Sequence, residues 1–253
     1  MLEEIAEIAN EAGRIALGRC GTDYQRWEKE PGHPVCEIDL MVDSFLREQL
    51  IALDPEAGWL SEETADESDR IERRRVWVVD PIDGTRDYLR GRPGWSVSVA
   101  LAEDRAIKYG VLAAPARDEI WTAELGKGAW RNGQPIRVSG RTDLVGARVP
   151  ADSLPRVDRD LVMVAKPNSI ALRIAMVGAG EADLLATLRW GREWDIAAAA
   201  LIAQEGGATV TGALGQPLTF NSPDALAFGI LATTPAIHEA AVERLRERAM
   251  AVV

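Results

Sequence analysis

WVVDPIDGT, at residues 77–85, is the stretch that decides how this chain folds. The apolar run at 76–79 predicts a buried strand, and two carboxylates, Asp80 and Asp83, follow it at once. Two carboxylates this close repel each other unless a cation lies between them. Because Asp, Pro and Gly are common turn residues, an exposed turn explains the same letters, and both interpretations stay open at this point.

The residues between and after the two aspartates suit a site for a hard divalent cation. Such a cation, Mg²⁺ for example, prefers oxygen ligands and leaves room for water and phosphate oxygens. Ile82 offers a backbone carbonyl between the carboxylates, Gly84 permits a conformation that other residues resist, and Thr85 adds a hydroxyl. The start of a following helix would present backbone N–H groups to an anion.

Further acidic residues stand near the ends of predicted elements, at Asp39, Glu62, Glu63 and Asp195. Taken singly, Glu62 and Glu63 form an ordinary solvated pair, and Asp39 and Asp195 suit the N-caps of helices. Taken together with the two aspartates of the turn, they are the ligand type that magnesium prefers.

The composition is that of an ordinary globular protein with one large domain or two modest ones. The 253 residues carry 40 acids against 29 bases, a formal net charge of -11, which disfavours a nucleic-acid polymer or an anionic membrane as the partner. Cys20 and Cys36 predict free thiols in a reducing cytosol. Neither a signal peptide nor a membrane-spanning run is expected, and the sequence therefore predicts a cytoplasmic protein.

Hydrophobic periodicity predicts helices that alternate with strands. In the first part, we expect helices from residue 2 and after Asp39, strands at 59–61 and 76–79, a solvated loop or short helix at 65–75, and an antiparallel meander over 95–138 with Asn132-Gly133 as a turn. After a polar stretch at 139–158, the pattern predicts strands at 161–165, 182–187, 208–211 and 226–232 and helices at 169–179, 195–205 and 235–249. We therefore predict an α/β fold in two parts, residues 1–140 and 141–253.

Four motifs together resemble the inositol monophosphatase family, the Mg²⁺-dependent, Li⁺-sensitive phosphomonoesterases that include the 3′(2′),5′-bisphosphate nucleotidases. WVVDPIDGT looks like the family's W-x-x-D-P-[IL]-D-G-T, and WDIAAAALIAQEGG, at 194–207, looks like its W-D-x-A-A…E-x-G-G. LSEET, at 60–64, looks like G-E-E-S, and PVCEIDLMVD, at 34–43, resembles V-T-x-x-D. The resemblance implies an α/β (α+β) fold, the layered αβαβα sandwich of the sugar phosphatases, and a homodimer.

The resemblance also implies a role for each matching residue. Two or three Mg²⁺ ions would be held by the backbone carbonyl of Ile82 and by the side chains of Asp39, Glu62, Asp80, Asp83 and Asp195. Catalysis would rest on Glu62, Asp83 and Thr85, while Glu63 would orient a water. Most of these ligands lie in the 1–140 part, whereas the 141–253 part carries Asp195 and the substrate loop.

The implied activity is hydrolysis of a small phosphorylated metabolite by in-line attack of a metal-activated water. Inositol monophosphate and 3′-phosphoadenosine 5′-phosphate are the leading substrates, ahead of fructose-1,6-bisphosphate and histidinol phosphate. A different class stays open, a non-catalytic regulatory protein that uses the same fold to contact RNA or the transcription machinery. The acidic balance argues against RNA contact, and the complete set of acids argues for an enzyme.

Substrate contacts are implied for Gly84, Thr85, Asn168, Ser169, Arg189, Arg192 and Asp195. The N–H groups of Gly84 and Thr85 would meet the phosphate. Asn168 and Ser169 would touch the alcohol portion of the substrate, or merely cap the helix that follows them.

Two departures from the family pattern bear on these roles. Cys36 replaces the threonine of V-T-x-x-D, which either alters the region of the third metal or provides only a small buried residue. Leu188 stands where inositol-specific members carry a glutamate, and Arg189 and Arg192 suit a second phosphate. Trp190 suits stacking on a base, or packs on the partner subunit from a surface loop.

Overall fold

A computed structural model describes residues 1–30, 33–64 and 68–252. Its helices are α1 (Leu2–Arg19), α2 (Glu37–Leu53), α3 (Thr85–Leu89), α4 (Ile170–Gly178), α5 (Glu193–Glu205) and α6 (His238–Met250). Its strands are β1 (Arg26–Glu30), β2 (His33–Cys36), β3 (Gly58–Ser61), β4 (Arg75–Asp83), β5 (Ser96–Glu103), β6 (Ala106–Ala114), β7 (Glu119–Glu124), β8 (Gly128–Arg131), β9 (Gln134–Pro135), β10 (Arg148–Pro150), β11 (Val162–Val164), β12 (Leu184–Arg192), β13 (Thr209–Thr211) and β14 (Leu226–Thr233).

The largest sheet over the described residues has seven strands in the order β3-β4-β5-β6-β7-β8-β9. Strands β3 and β4 are parallel, and the rest form the expected antiparallel meander. Its hairpin turns at Asp104-Arg105 and Asn132-Gly133 have positive φ at both central residues, as tight two-residue turns between twisted strands require. The meander and its Asn-Gly turn are therefore confirmed.

Strand β4 shows why helices cover both faces of this sheet. Its side chains alternate between two cores: Trp77 and Val79 pack with residues of α1 and α2, whereas Val76 and Val78 pack with residues of α4 and α5. All four are buried, and each such side chain contributes about 1.5–3 kcal/mol to stability. A strand with two buried faces reads as a continuous apolar run rather than an alternating one.

Two further layers lie beyond α4 and α5. Within the described chain, β12, β14 and β13 form a second, three-stranded sheet in that order. Leu185 and Ile230 of this sheet belong to the core that contains α4 and α5, and Leu184 and Leu231 face the opposite way toward Leu245 of α6. The order of layers is the αβαβα sandwich, and the fold class is confirmed.

The alanine run of α5 lets that helix approach the large sheet closely. A Cβ atom placed on Gly110 of β6 would lie 2.7 Å from the carbonyl oxygen of Ala198. Small side chains on both elements thus bring the first turn of α5 within reach of the end of β4. None of the described helices has the length and the apolar character that crossing a membrane requires.

Several sequence-based bounds were wrong. Strand β12 continues to Arg192, because Trp190, Gly191 and Arg192 pair with β14 after an irregularity in register, so the expected substrate loop is the end of a strand. The polar stretch 139–158 contains β10, which pairs in parallel with β11. The division into residues 1–140 and 141–253 stays a prediction.

The charge-rich segment contains a short helix, one of the two structures that we expected. Ser68–Glu72 forms a 3₁₀ helix, but within it the side chain of Arg70 is fully buried rather than solvated. Residues 65–67 lie outside the described chain. Arg70 is buried because Asn221 and the carbonyl of Ser222 accept hydrogen bonds from its guanidinium at 2.6 and 3.0 Å.

Candidate active site

An acidic cleft lies at the carboxyl ends of β3 and β4. The two strands are parallel, with Ser61 opposite Val79, and the N–H of Glu62 donates to the carbonyl of Val79 at 3.3 Å. This register places Glu62, which follows β3, beside Asp80, which follows the apolar run of β4. Residues that are far apart in sequence thus meet because parallel strands end at the same edge of a sheet.

Asp195 reaches the same edge from the first turn of α5. Glu62, Asp80 and Asp195, the acidic trio, each present one carboxylate oxygen, and these oxygens lie within 4.8 Å of one another. Asp80 is buried and the other two are half-buried. A divalent cation can bind three carboxylate oxygens at this separation and complete its coordination shell with water molecules.

A buried polar network fixes the start of α5. Glu193 is fully buried and accepts hydrogen bonds from the backbone N–H groups of Asn221 and Ser222 at 2.6 and 2.9 Å. Arg70 donates to the same turn. The segment of Arg70 and the helix of Asp195 are therefore tied to one turn, which holds Asp195 in place.

The electrostatics of the trio are those of closely spaced, buried carboxylates. Burial raises the pKa of Asp80 well above its ordinary value, and the charges of Glu62, Asp83 and Asp195 raise it further. The pKa of Asp195 is raised to about 7, first by burial and then by Asp83. Clustered carboxylates hold protons when nothing positive separates them, and a divalent cation would replace those protons.

The turn at residues 80–85 is held by its own polar groups. The N–H of Ile82 donates to the Asp80 carboxylate, and the Thr85 hydroxyl donates to the carbonyl of Ile82, each at 3.0 Å. Gly84 has φ 95° and ψ 33°, and a Cβ there would lie 2.8 Å from both the Gly94 oxygen and the Ser169 nitrogen. Only glycine fits this position without strain.

Asp83 has a different environment from the trio. Its carboxylate accepts hydrogen bonds from the Ser169 hydroxyl and from the N–H groups of Ile170 and Ala171, the latter at 3.3 and 2.7 Å. Asp83 lines the cleft and at the same time satisfies the N-terminus of α4. Burial raises its pKa, and these hydrogen bonds, together with Arg173, oppose the rise.

Asp39 lies outside both the trio and the cleft lining. It is buried in the first turn of α2, where it accepts hydrogen bonds from the N–H and the thiol of Cys36 at 2.8 and 2.9 Å. Cys36 is the N-cap of this helix, and Arg192 is the N-cap of α5. Neither Asp39 nor Asp195 therefore takes the N-cap position that we considered. Burial and Asp39 raise the pKa of Cys36 to about 12, which keeps it a neutral thiol in the place of the family's threonine.

The expected substrate residues divide into two groups. One group lines the cleft and consists of Gly84, Thr85, Asn168, Arg189 and Asp195. Ser169 is fully buried and caps α4 by accepting the N–H of Leu172 at 2.9 Å.

Arg192 does not line the cleft. Its guanidinium lies 5.4 Å from the centre of the Trp194 ring and donates to the carbonyl of Asp224 at 3.4 Å. Trp190 is half-exposed and packs edge-on against Phe228, with ring centres 5.4 Å apart. The alternation of side chains along a strand explains why Arg189 and Arg192 separate.

Three basic residues of the cleft were missed by the sequence analysis, namely Arg86, Lys166 and Arg173. A signal existed for Arg173, because it is the one charged residue in the helix IALRIAMVG. Its position, four residues after Ser169, places it on the same helix face as the N-cap.

The chain is similar in sequence and in fold to other proteins. The sequence profile of the inositol monophosphatase family matches residues 1–250. The chain is 35% identical over 194 residues to a fructose-1,6-bisphosphatase/inositol-1-monophosphatase of Thermotoga maritima, covering 73% of this chain and 74% of that protein. It is 31% identical over 239 residues to the 3′(2′),5′-bisphosphate nucleotidase CysQ of Aggregatibacter actinomycetemcomitans, covering 87% of each. A solved IMPase structure from Thermotoga maritima has a TM-score of 0.85 at 29% identity, covering 98% of this chain and 97% of that one.

Proposed function

The chain belongs to the inositol monophosphatase family, and we propose that it hydrolyses inositol monophosphate or 3′-phosphoadenosine 5′-phosphate with Mg²⁺ bound at the acidic trio. That it is a phosphatase of small phosphorylated substrates follows from its family and its relatives. The observation that carries the finer proposal is the meeting of three carboxylates within 4.8 Å at the wall of a cleft of about 480 Å³.

The residues present fit Mg²⁺ on the chemistry of their donors. All three ligand atoms of the trio are carboxylate oxygens, with no thiol or imidazole among them, and hard cations prefer such a set. We assign Glu62, Asp80 and Asp195 to the metal, with Asp83 and the carbonyl of Ile82 as further ligands. A role of Asp39 at a third, weaker ion stays a proposal from the resemblance.

Bound Mg²⁺ would neutralise the phosphate and lower the pKa of a coordinated water. Residues of the chain would supply the other catalytic roles. We assign Glu62 as the general base that accepts the proton of the attacking water, and Thr85 as the residue that orients this water through the hydroxyl that donates to Ile82. The N–H groups of Gly84 and Thr85 donate to the phosphate oxygens, because Gly84 lets the backbone turn toward the cleft.

The names of two relatives support the choice of substrates. The Thermotoga maritima protein is called a fructose-1,6-bisphosphatase/inositol-1-monophosphatase, and the Aggregatibacter actinomycetemcomitans protein a bisphosphate nucleotidase. We extend the proposal to a homodimer, as the family resemblance implies. The comparisons do not favour a regulatory, non-catalytic protein over the phosphatase.

Phosphate release from a panel of phosphomonoesters, with Mg²⁺ and with EDTA, tests the proposal. We expect Glu62→Gln and Asp80→Asn to lower kcat/KM by at least about a hundredfold, as for other groups that act on the reacting atoms. Glu243→Gln is the matched control, because Glu243 is an exposed residue of α6. Release by the wild-type protein that is equal in Mg²⁺ and in EDTA would contradict the metal assignment.

Thermal unfolding in EDTA supplies a readout that does not depend on activity. Asp80→Asn removes one of the repelling charges, so this variant should be at least as stable as the wild-type protein without metal. It should gain less stability from Mg²⁺, since one ligand is weakened. Equal Mg²⁺ stabilisation of both proteins would show that Asp80 does not bind the ion.

A further inference from the structure

The cleft carries basic residues as well as acids, and they come from different elements. Lys166 precedes α4, Arg173 lies in its first turns, and Arg189 lies on β12. All three line the cleft together with the acidic trio. The trio would bind the ion, and the ion would neutralise the phosphate that is cleaved, so these three positive charges can act on a further anionic group.

Arg173 is held in place by backbone groups rather than by an acid. Its guanidinium donates to the carbonyls of Ser169 and Asn168 at 3.2 and 3.0 Å. Within the described chain, neither Arg173 nor Arg189 forms an ion pair with a carboxylate. If these two cations only balanced the acids of the cleft, direct pairs with them would be expected.

Lys166 is the third positive group. It forms an ion pair with Asp152, whose side chain is 76% exposed. A pair with so exposed a partner is weak and exchanges readily with solvent ions. Lys166 can therefore turn to a ligand in the cleft at little cost.

Two of the three cations also face a second cavity, whereas Arg189 lies beside Asp195 in a small pocket of its own. Lys166 and Arg173 also line a neighbouring cavity of about 340 Å³, where Leu154, Leu184 and Leu188 contribute apolar walls. No member of the acidic trio lines that cavity. The two cations thus stand where the cleft meets this cavity, which has room for the organic part of a substrate whose phosphate lies at the trio.

We propose that Lys166, Arg173 and Arg189 form a subsite for a second anionic group of the substrate, so that the enzyme prefers a bisphosphate to the matching monophosphate. This inference rests on the proposed function, because it takes the trio as the place of the phosphate that is cleaved. A planar guanidinium donates two parallel hydrogen bonds to a phosphate, and the carbonyls that hold Arg173 orient it before the ligand arrives. Arg192, which the sequence suggested for this role, lies outside the subsite.

Two substrates that differ by one phosphate test the subsite. Adenosine 3′,5′-bisphosphate and adenosine 3′-monophosphate share the same 3′-phosphate, and the measured quantity is the ratio of their kcat/KM values for 3′-phosphate release. We expect the wild-type ratio to exceed about ten, and Arg189→Ala to lower it about tenfold, as for the loss of one charge-assisted hydrogen bond. Arg189→Lys should restore part of the ratio.

Controls separate the subsite from general effects. Arg246→Gln removes an equal charge from the outer face of α6, where Arg246 pairs with Glu243, and should leave the ratio unchanged. Arg173→Gln should lower the ratio as Arg189→Ala does. If that variant unfolds because its carbonyl contacts are lost, Arg189→Ala decides alone, since Arg189 is exposed. Added salt should reduce the wild-type preference more than that of Arg189→Ala, because exposed charges are screened.

The outcomes distinguish the two proposals. If the wild-type protein hydrolyses monophosphates in Mg²⁺ but its ratio is near one, or if Arg189→Ala leaves the ratio unchanged, the subsite is wrong and the proposed function stands. If no phosphomonoester releases phosphate, both are wrong. Arg189→Ala should also lower the ratio of kcat/KM values for a fructose pair, the 1,6-bisphosphate and the 1-phosphate. The fall should be the same, because the subsite recognises the second anion and not the base.

Discussion

Replacing Gly84 with alanine should destabilise the protein far more than its surface position in the cleft suggests. Gly84 has φ 95°, a region that costs a residue with a Cβ about 1–2 kcal/mol. The new methyl would lie 2.8 Å from both the Gly94 oxygen and the Ser169 nitrogen. These two atoms form a hydrogen bond of 2.8 Å with each other, so the methyl would press on the bond that holds the start of α4.

The expected loss follows from adding these effects. Overpacking of this kind costs about 1–3 kcal/mol, which brings the total to about 2–5 kcal/mol. Gly91 supplies a matched control, because it also has positive φ, at 64°, but no atom lies within 4 Å of its added Cβ. Gly91→Ala should cost only the conformational part, about 1–2 kcal/mol.

Thermal and urea unfolding of the two variants measure the difference. For a chain of this size, 1 kcal/mol corresponds to about 2–4 °C in Tm, so Gly84→Ala should melt roughly 2–12 °C below Gly91→Ala. Equal midpoints for the two variants would refute the argument that contact with the Gly94 and Ser169 backbone, rather than positive φ alone, requires glycine at this position.

Three other perturbations give distinct outcomes. Asp83→Asn should abolish phosphate release and also lower the free energy of unfolding by about 1–3 kcal/mol, because an amide cannot accept all the hydrogen bonds from α4; full activity of this variant in Mg²⁺ would contradict the assignment. The pKa of Asp195 is raised from its unfolded value to about 7, so the proton on this carboxyl stabilises the metal-free protein at low pH, and that stabilisation is lost as the pH rises from about 4 through 7. Mg²⁺ should therefore raise Tm more at pH 8 than at pH 5. The reverse order would exclude a metal-linked carboxylate. Arg70→Met should cost about 1–3 kcal/mol in urea unfolding, since the buried side-chain oxygen of Asn221 loses its donor, whereas exposed Arg74→Met should stay within about 0.5 kcal/mol.

Much of the fold follows from patterns that depend on few residues. The apolar run before Asp80 predicted a buried strand and the Asn132-Gly133 turn predicted part of a meander, and both are confirmed. These succeed because a buried strand and a tight turn are decided by neighbours in sequence. The layered α/β architecture follows from the alternation of elements, since each apolar face must be covered.

The site was harder to predict because its geometry depends on long-range pairing. Strand β12 looked like a loop after residue 187, since glycine and arginines are common in loops, and only its pairing with β14 keeps it extended. Side-chain direction along that strand then separates Arg189 from Arg192. The bonds from Asp83 to the start of α4 and the burial of Arg70 join segments whose proximity no local pattern encodes.

The double position of Asp83, at the cleft and at the start of α4, limits how the enzyme's selectivity can be altered. A chimera that receives residues 169–178 from a relative would import that relative's residue at position 173. The incoming segment must also carry a hydroxyl in place of Ser169, since otherwise the carboxylate loses the donor that anchors it. Selectivity and turnover should therefore change together in such grafts, and they should separate only when the exchange begins after Ala171.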